Sequence, residues 1–251
     1  MIKEKSKINM SPNLRYPVAN LKVIAAIPCY NTAKTIGDVV TKTLQYVDEV
    51  LVIDDGSKDK TVEVARAAGA RVICHGKNQG YGAAIKTCFS SFQKIDADIL
   101  IIIDGDGQHN PDEIPMLINP LLDKKAELVI GSRFLNTKLT MPRYRRFGIS
   151  VITLLWNFGS KIKVTDSQSG FRAYNKRLVQ DIELTENGMG ISIEIIEKIR
   201  KKRPVFQEIP ISCRYEDNNV RLNRYAVGHG LRVALAVVKL RFKYGRYFRT
   251  K

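Results

Sequence analysis

Short β-branched and aliphatic runs alternate with helical patterns over residues 21–133, and this alternation limits the fold more than any other feature. The runs at 21–27, 49–53, 71–74, 99–103 and 128–130 are continuously apolar rather than alternating. That is the pattern of parallel strands covered on both faces. Between the first two runs, Ile36, Val39, Val40, Thr43, Leu44 and Val47 share one helical stripe. Further helices are expected from Asp59-Lys60-Thr61 to Gly69, from about 82 to 93, and after the Asn110-Pro111-Asp112-Glu113 cap. The expected class is α/β, a doubly wound, mostly parallel sheet flanked by helices. Ligands on such sheets sit beyond the carboxyl ends of the strands.

Composition narrows the partners. With 44% hydrophobic residues in 251 the chain can build a sizeable core and is not a disordered polymer. Forty-one Lys and Arg against 25 Asp and Glu leave +16, which favours anionic partners such as nucleic acid, phosphorylated ligands or acidic lipids. Cys29, Cys74, Cys88 and Cys213 lack the spacing of a zinc site or a disulfide framework. No run reaches the ~18–20 apolar residues of a membrane span. Residues 1–20 are polar and basic and read as a tail rather than a secretory signal. Residues 21–215 read as one α/β domain, and 216–251 as a basic segment suited to a membrane surface.

Three polar clusters follow apolar runs and should emerge on one sheet edge: Pro28-Cys29-Tyr30-Asn31, Asp54-Asp55-Gly56-Ser57 and Asp104-Gly105-Asp106-Gly107-Gln108. Each is compatible with a plain turn. A turn, however, does not require two carboxylates after Ile99-Leu100-Ile101-Ile102-Ile103. Hard oxygen ligands placed there suit Mg²⁺ or Mn²⁺ with substrate phosphates. A calcium loop is excluded because His109 stands where its sixth-position glycine is needed. Gly76-Lys77-Asn78-Gln79-Gly80-Tyr81-Gly82 matches neither a P-loop nor a dinucleotide fingerprint and reads as a tight strand-to-helix connection.

Taken together, Pro28-x-Tyr30-Asn31, Asp54-Asp55-Gly56-Ser57-x-Asp59-x-Thr61, Asp104-x-Asp106-x-Gln108 and Gly131-Ser132-Arg133 resemble family 2 glycosyltransferases of the GT-A fold. Asp166-Ser167-Gln168-Ser169-Gly170-Phe171-Arg172 resembles the dolichyl-phosphate mannose synthase branch. The resemblance implies inverting transfer of a hexose from a nucleotide-diphosphate sugar to dolichyl or polyprenyl phosphate, with Mg²⁺ or Mn²⁺. The donor is left open between GDP-mannose, UDP-glucose and UDP-N-acetylglucosamine. By position, Pro28, Tyr30, Asn31, Asp54, Asp55 and Ser169 would bind substrate, and Asp104, Asp106 and Gln108 would surround the metal and diphosphate. Asp106, Arg133, Asp166 and Arg172 would serve catalysis, the arginines facing phosphates. Thr32 stands where members often carry Glu, and 214–219 lack the usual Arg-x-x-Gly-x-Ser-Lys element.

An acceptor phosphate needs no base to remove a proton, because its second pKa is about 6. A soluble or glycan acceptor would need one, and Asp166 is the nearest candidate. A basic nucleic-acid-binding module is the non-enzymatic alternative. The acidic strand-end clusters and the absence of interleaved aromatics speak against it. For membrane contact, Arg143-Tyr144-Arg145-Arg146 precedes an apolar stretch at 147–158 that reads either as an interfacial helix, with Trp156 as its anchor, or as a helix packed on the sheet. After Asp217 nine basic residues and no acid follow, so the protein is expected to sit peripherally at the inner, cytoplasmic face of the cell membrane. His109 reads as structural more than catalytic, and His75 shows no companions along the chain.

Overall fold

The structure, a computed structural model, describes residues 21–136, 141–158, 163–188 and 190–215. The tail at 1–20 and the basic segment at 216–251 lie outside the described residues.

Seven strands form one sheet in the order β3-β2-β1-β4-β6-β5-β7. β1 (Val23–Cys29), β2 (Glu49–Asp54), β3 (Arg71–Cys74) and β4 (Ile99–Ile102) are mutually parallel, with Cys29 paired to Asp54 and Asp54 to Cys74. β1 and β4 are buried along their full length. Their alternate residues feed two apolar layers: Ile24 and Ala26 into one, Val23, Ala25 and Ile27 into the other. This is why the strands read as unbroken apolar runs.

Helices α1 (Ile36–Thr43), α2 (Thr61–Ala67) and α4 (Ile114–Leu122) cover one face, and α3 (Tyr81–Phe92) and α5 (Arg143–Asn157) the other, joined there by α6 (Lys176–Val179) and α7 (Ile191–Lys201). The expected helices are present, with the first ending four residues earlier than its apolar stripe.

Four elements were not legible in the sequence: β6 (Arg172–Asn175), α6, α7 and β7 (Phe206–Pro210). β6 is four residues long and starts with an arginine, yet it runs antiparallel between β4 and β5 (Leu128–Ser132). β7 is a half-exposed strand ending in proline, beside β5 at the sheet margin, where a missing N–H is tolerated. The reversal of β6 matters for function. Its first residue lies at the sheet edge where β1, β2, β4 and β5 finish, so the 166–171 loop arrives beside Asp104. Glycine 170 is the point of contact: a Cβ there would sit 2.3 Å from an Asp104 carboxylate oxygen.

Candidate active site

The tips of β1 and β2 are stitched together by side chains spaced two apart. Ser57 Oγ accepts the Asn31 N–H at 2.8 Å, Asp59 accepts the Ala33 N–H at 3.1 Å, and Thr61 Oγ1 accepts the Thr32 N–H at 2.8 Å. Asn31, at φ 53, returns the exchange by accepting the Lys58 N–H. Thr35 Oγ1 then donates to the Gly105 carbonyl at 2.7 Å, tying this pair of loops to the tip of β4. Pro28 lies in β1 and Tyr30 just beyond it, 42% exposed and open to a ligand.

Asp54 and Asp55 are both buried. Asp54 accepts the Ser57 N–H and shapes the turn. Asp55 accepts the Gln79 and Gly80 N–H groups at 3.0 and 2.8 Å, and its carboxylate also meets His75. The glycine-rich connection is therefore folded over Asp55 by its own backbone donors.

At the end of β4, Asp104 lies against Tyr81 Oη at 3.3 Å and the Gly170 backbone. Burial, reinforced by the charge of Asp106, raises its carboxyl to about 6. Burial raises Asp106 as well, while the Gln108 N–H it accepts and the nearby Arg145 oppose the shift. A buried carboxylate raised further by the charge of its neighbour is a site that a cation would relieve. Asp104, Asp106 and Gln108 supply hard oxygen donors that fit Mg²⁺ or Mn²⁺. His109 is buried; burial first, then the Arg133 charge, pushes its imidazole down to about 3, so it is neutral.

Asp106 and Gln108 open into a cavity of about 600 Å³, also lined by Asn31, Thr35, Arg145 and Tyr215. The Arg145 guanidinium lies 5.6 Å from the Tyr215 ring centre. On the other side, Arg133 Nη1 makes a long 3.5 Å contact to Tyr215 Oη. Neither Arg145 nor Tyr215 was singled out from the sequence as a site residue. Arg145 read as part of a basic run before an apolar helix, and only the fold turns its side chain into the cavity.

Arg133 follows β5 and pairs with Asp166 through Nε–Oδ2 at 2.7 Å and Nη2–Oδ1 at 2.8 Å. Burial alone would lower the guanidinium pKa, but these bonds and the Asp166 charge hold it above its ordinary value. Asp166 is fully buried with both oxygens committed. Its turn is fixed from outside the motif: Glu208 accepts from the Thr165 and Asp166 N–H groups, and Asn157 of α5 bonds both backbone groups of Val164. Ser169 is buried and accepts the Phe171 N–H. Arg172 does not open onto the cavity. It is 2% exposed, donates to the Ser167 and Ser192 carbonyls, and so braces the loop from within.

The model of the family described as "Glycosyl transferase family 2" matches residues 24–183. The UDP-N-acetylglucosamine–dolichyl-phosphate N-acetylglucosaminyltransferase of Methanococcus voltae is 29% identical, covering 89% of this chain and 98% of that protein. The dolichyl-phosphate hexose transferase of Haloferax volcanii is 31% identical, covering 84% and 91%. Among solved structures, glucosyl-3-phosphoglycerate synthase of Mycobacterium tuberculosis in complex with Mn²⁺, UDP and glucosyl-3-phosphoglycerate superposes with a TM-score of 0.72 at 22% identity, covering 96% of this chain and 87% of that one. The chain belongs to glycosyl transferase family 2. It is a glycosyltransferase with the GT-A fold expected from its sequence, and the strand-tip clusters of this family 2 enzyme form its candidate active site.

Proposed function

We propose that this family 2 glycosyltransferase moves a sugar from a nucleotide-diphosphate donor to a polyprenyl phosphate of the dolichyl class, working at a membrane surface. The observation that carries the reading is the pairing of opposite demands across one cavity. Asp106 and Gln108 line it, with Asp104 two residues before Asp106, and call for a cation, while Arg145 in its lining and Arg133, in contact with the lining residue Tyr215, call for an anion. The names of the curated relatives, which include two dolichyl-phosphate transferases, point the same way.

In this reading Pro28, Tyr30, Asn31 and Asp55 border the nucleoside, and Asp104, Asp106 and Gln108 hold Mg²⁺ or Mn²⁺. Bound there, the metal supplies Lewis acidity that offsets the charge of the departing nucleotide diphosphate. Arg133 and Arg145 hold the acceptor phosphate, already anionic near neutrality, so that its oxygen attacks the anomeric carbon from the face opposite the leaving group and inverts it. Asp166 orients Arg133. With both oxygens engaged it is not free to take a proton, which favours a phosphate over an alcohol acceptor. Ser169 and Arg172 shape the loop that carries Asp166.

Among the described residues no helix is long and apolar enough to cross a membrane. α5 has two apolar sides. Ile152 and Trp156 are buried in the core, whereas Phe147, Leu154 and Phe158 are at least 70% exposed. Their spacing of seven and four places them in one outward stripe at the end of the basic run 143–146. Trp156 is thus a core residue, and of the two sequence readings of 147–158 it follows the helix packed on the sheet. We assign the outward stripe to the lipid surface that presents the acceptor, on the cytoplasmic face, with the 216–251 segment as a second basic contact.

The test is transfer from labelled GDP-mannose, UDP-glucose and UDP-N-acetylglucosamine to polyprenyl phosphate, read as label extracted into organic solvent. One donor should give metal-dependent product, and Asp106→Ala should abolish it with the thermal transition retained. Label passing only to a water-soluble acceptor, or full activity in Asp106→Ala, would overturn the reading.

A further inference from the structure

His75 stands outside every motif, yet it makes the most specific contact behind the nucleoside wall. Its N–H extends the β2–β3 ladder by one bond to the Asp54 carbonyl at 2.8 Å. The ring turns inward, its side chain only 10% exposed. Nδ1 lies 2.7 Å from Asp55 Oδ1, and Nε2 lies 2.9 Å from Thr87 Oγ1 on α3. An ionised carboxylate only accepts, so Nδ1 carries the proton between them. The Thr87 contact holds the ring against rotation about its own axis.

Asp55 is consequently gripped from three directions: by His75, and by the Gln79 and Gly80 N–H groups. The last of these contacts reaches the chemistry. Gly80, at φ 96, sets the entry to α3, and the next residue, Tyr81, places its hydroxyl 3.3 Å from Asp104. The connection also lies directly on the β2 tip, since a Cβ at Gly56 would come within 2.6 Å of the Lys77 backbone. One imidazole therefore fixes both the carboxylate at the nucleoside wall and the loop that runs from it to the metal-facing carboxylate.

We infer that His75 is a positioning residue for donor binding, acting through Asp55 to hold the 76–80 connection as a wall of the nucleotide-sugar pocket. The inference rests on the proposed placement of the nucleoside against Asp55. His75 touches no reacting atom, so its loss should weaken capture of the donor and leave the transfer step nearly intact. A charge-assisted hydrogen bond is at stake, and its removal corresponds to a change of about tenfold.

The test uses the full chain with Mg²⁺ or Mn²⁺, reading nucleotide-sugar KM and kcat together with the Kd of UDP and GDP. A cavity of about 610 Å³ borders His75, Gln79 and Thr87, which leaves room for a ring substitution. His75→Phe keeps the ring and removes the donor: KM and Kd should rise about tenfold with kcat within twofold. His75→Asn returns an N–H near the Nδ1 position and should recover most of the loss, while Thr87→Val should raise KM about threefold. Unchanged KM and Kd in His75→Phe, or a fall in kcat that His75→Asn does not rescue, would overturn the inference. Should His75→Phe fail to fold, an unchanged Kd in His75→Ala together with an unchanged Kd in Thr87→Val would overturn it equally. Asp55→Asn separates the two levels. If it weakens nucleotide binding while His75→Phe does not, the positioning role fails and the pocket reading stands. If neither weakens binding, the pocket reading itself fails.

Discussion

The two halves of the site are held by different kinds of bond. Around β1 and β2, side chains at Ser57, Asp59 and Thr61 bind backbone N–H groups at Asn31, Ala33 and Thr32, a regularly spaced stitch between two neighbouring strand tips. Around β5, β6 and β7, side chains bind a side chain and the backbone of a turn: Arg133 with Asp166, Glu208 with Thr165 and Asp166, Asn157 with Val164. A backbone stitch distributes its strength over many modest bonds. The second half instead concentrates it in one desolvated ion pair, whose loss leaves a charge stranded. The half that would grip a rigid nucleotide is therefore redundant, and the half that would meet an acceptor depends on single residues.

This contrast can be broken most severely at Asp166. Asp166→Ala leaves Arg133, whose side chain is 11% exposed, without its partner. The cost should be about 3–5 kcal/mol of stability. Sugar transfer should fall ~100-fold or more as the guanidinium drifts from its geometry. Chemical denaturation and turnover check both. A loss no larger than that of a surface mutation would erase the distinction between the halves.

The outward face of α5 gives the next largest effect. Full burial of one Phe is worth about 1.5–3 kcal/mol, so Phe158→Ser should weaken vesicle sedimentation ~10–100-fold while the melting temperature holds. Undiminished binding would move the membrane contact elsewhere.

His109 sits where the halves meet, its backbone bridged to Cys213. Its folded imidazole resists protonation down to about 3, against 6.5 for the unperturbed group. The unfolded chain thus binds the proton first, and the stability this residue contributes is lost as pH falls from about 6.5 toward 3. Melting temperatures across that window should decline less steeply in His109→Gln than in the wild type.

The mildest change is Ser57→Ala, which removes one stitch of several at an exposed position. It should cost about 0.5–1.5 kcal/mol and leave activity within a few-fold, measured by denaturation and initial rate. A collapse of donor binding in this variant would show that the first half is no more redundant than the second.

The legibility of the site follows the same division. Asp54-Asp55-Gly56-Ser57 and Asp104-x-Asp106-x-Gln108 were readable because a strand end, a turn and a cap leave their marks within a few neighbouring residues. The arginines were readable as residues but not as geometry. Arg133 faces its expected region with a carboxylate already clasped, and Arg172, expected to meet phosphate, is turned into the protein. Arg145, Tyr215, Glu208 and His75 gave no local signal of a site role, because their partners come from distant elements.

The sequence alone determined the α/β class, the parallel strands β1 to β4 and the acidic tips, since apolar runs buried on both faces and turn residues at their ends are local consequences of backbone geometry. The tertiary structure decided that β6 inserts antiparallel, that residues 166–171 reach Asp104, and that Asp55 is held by His75. Those outcomes depend on which side chains meet after the sheet has closed. Pairings across 20 to 70 residues are set by packing and desolvation in the assembled sheet, and no periodicity along the chain records them.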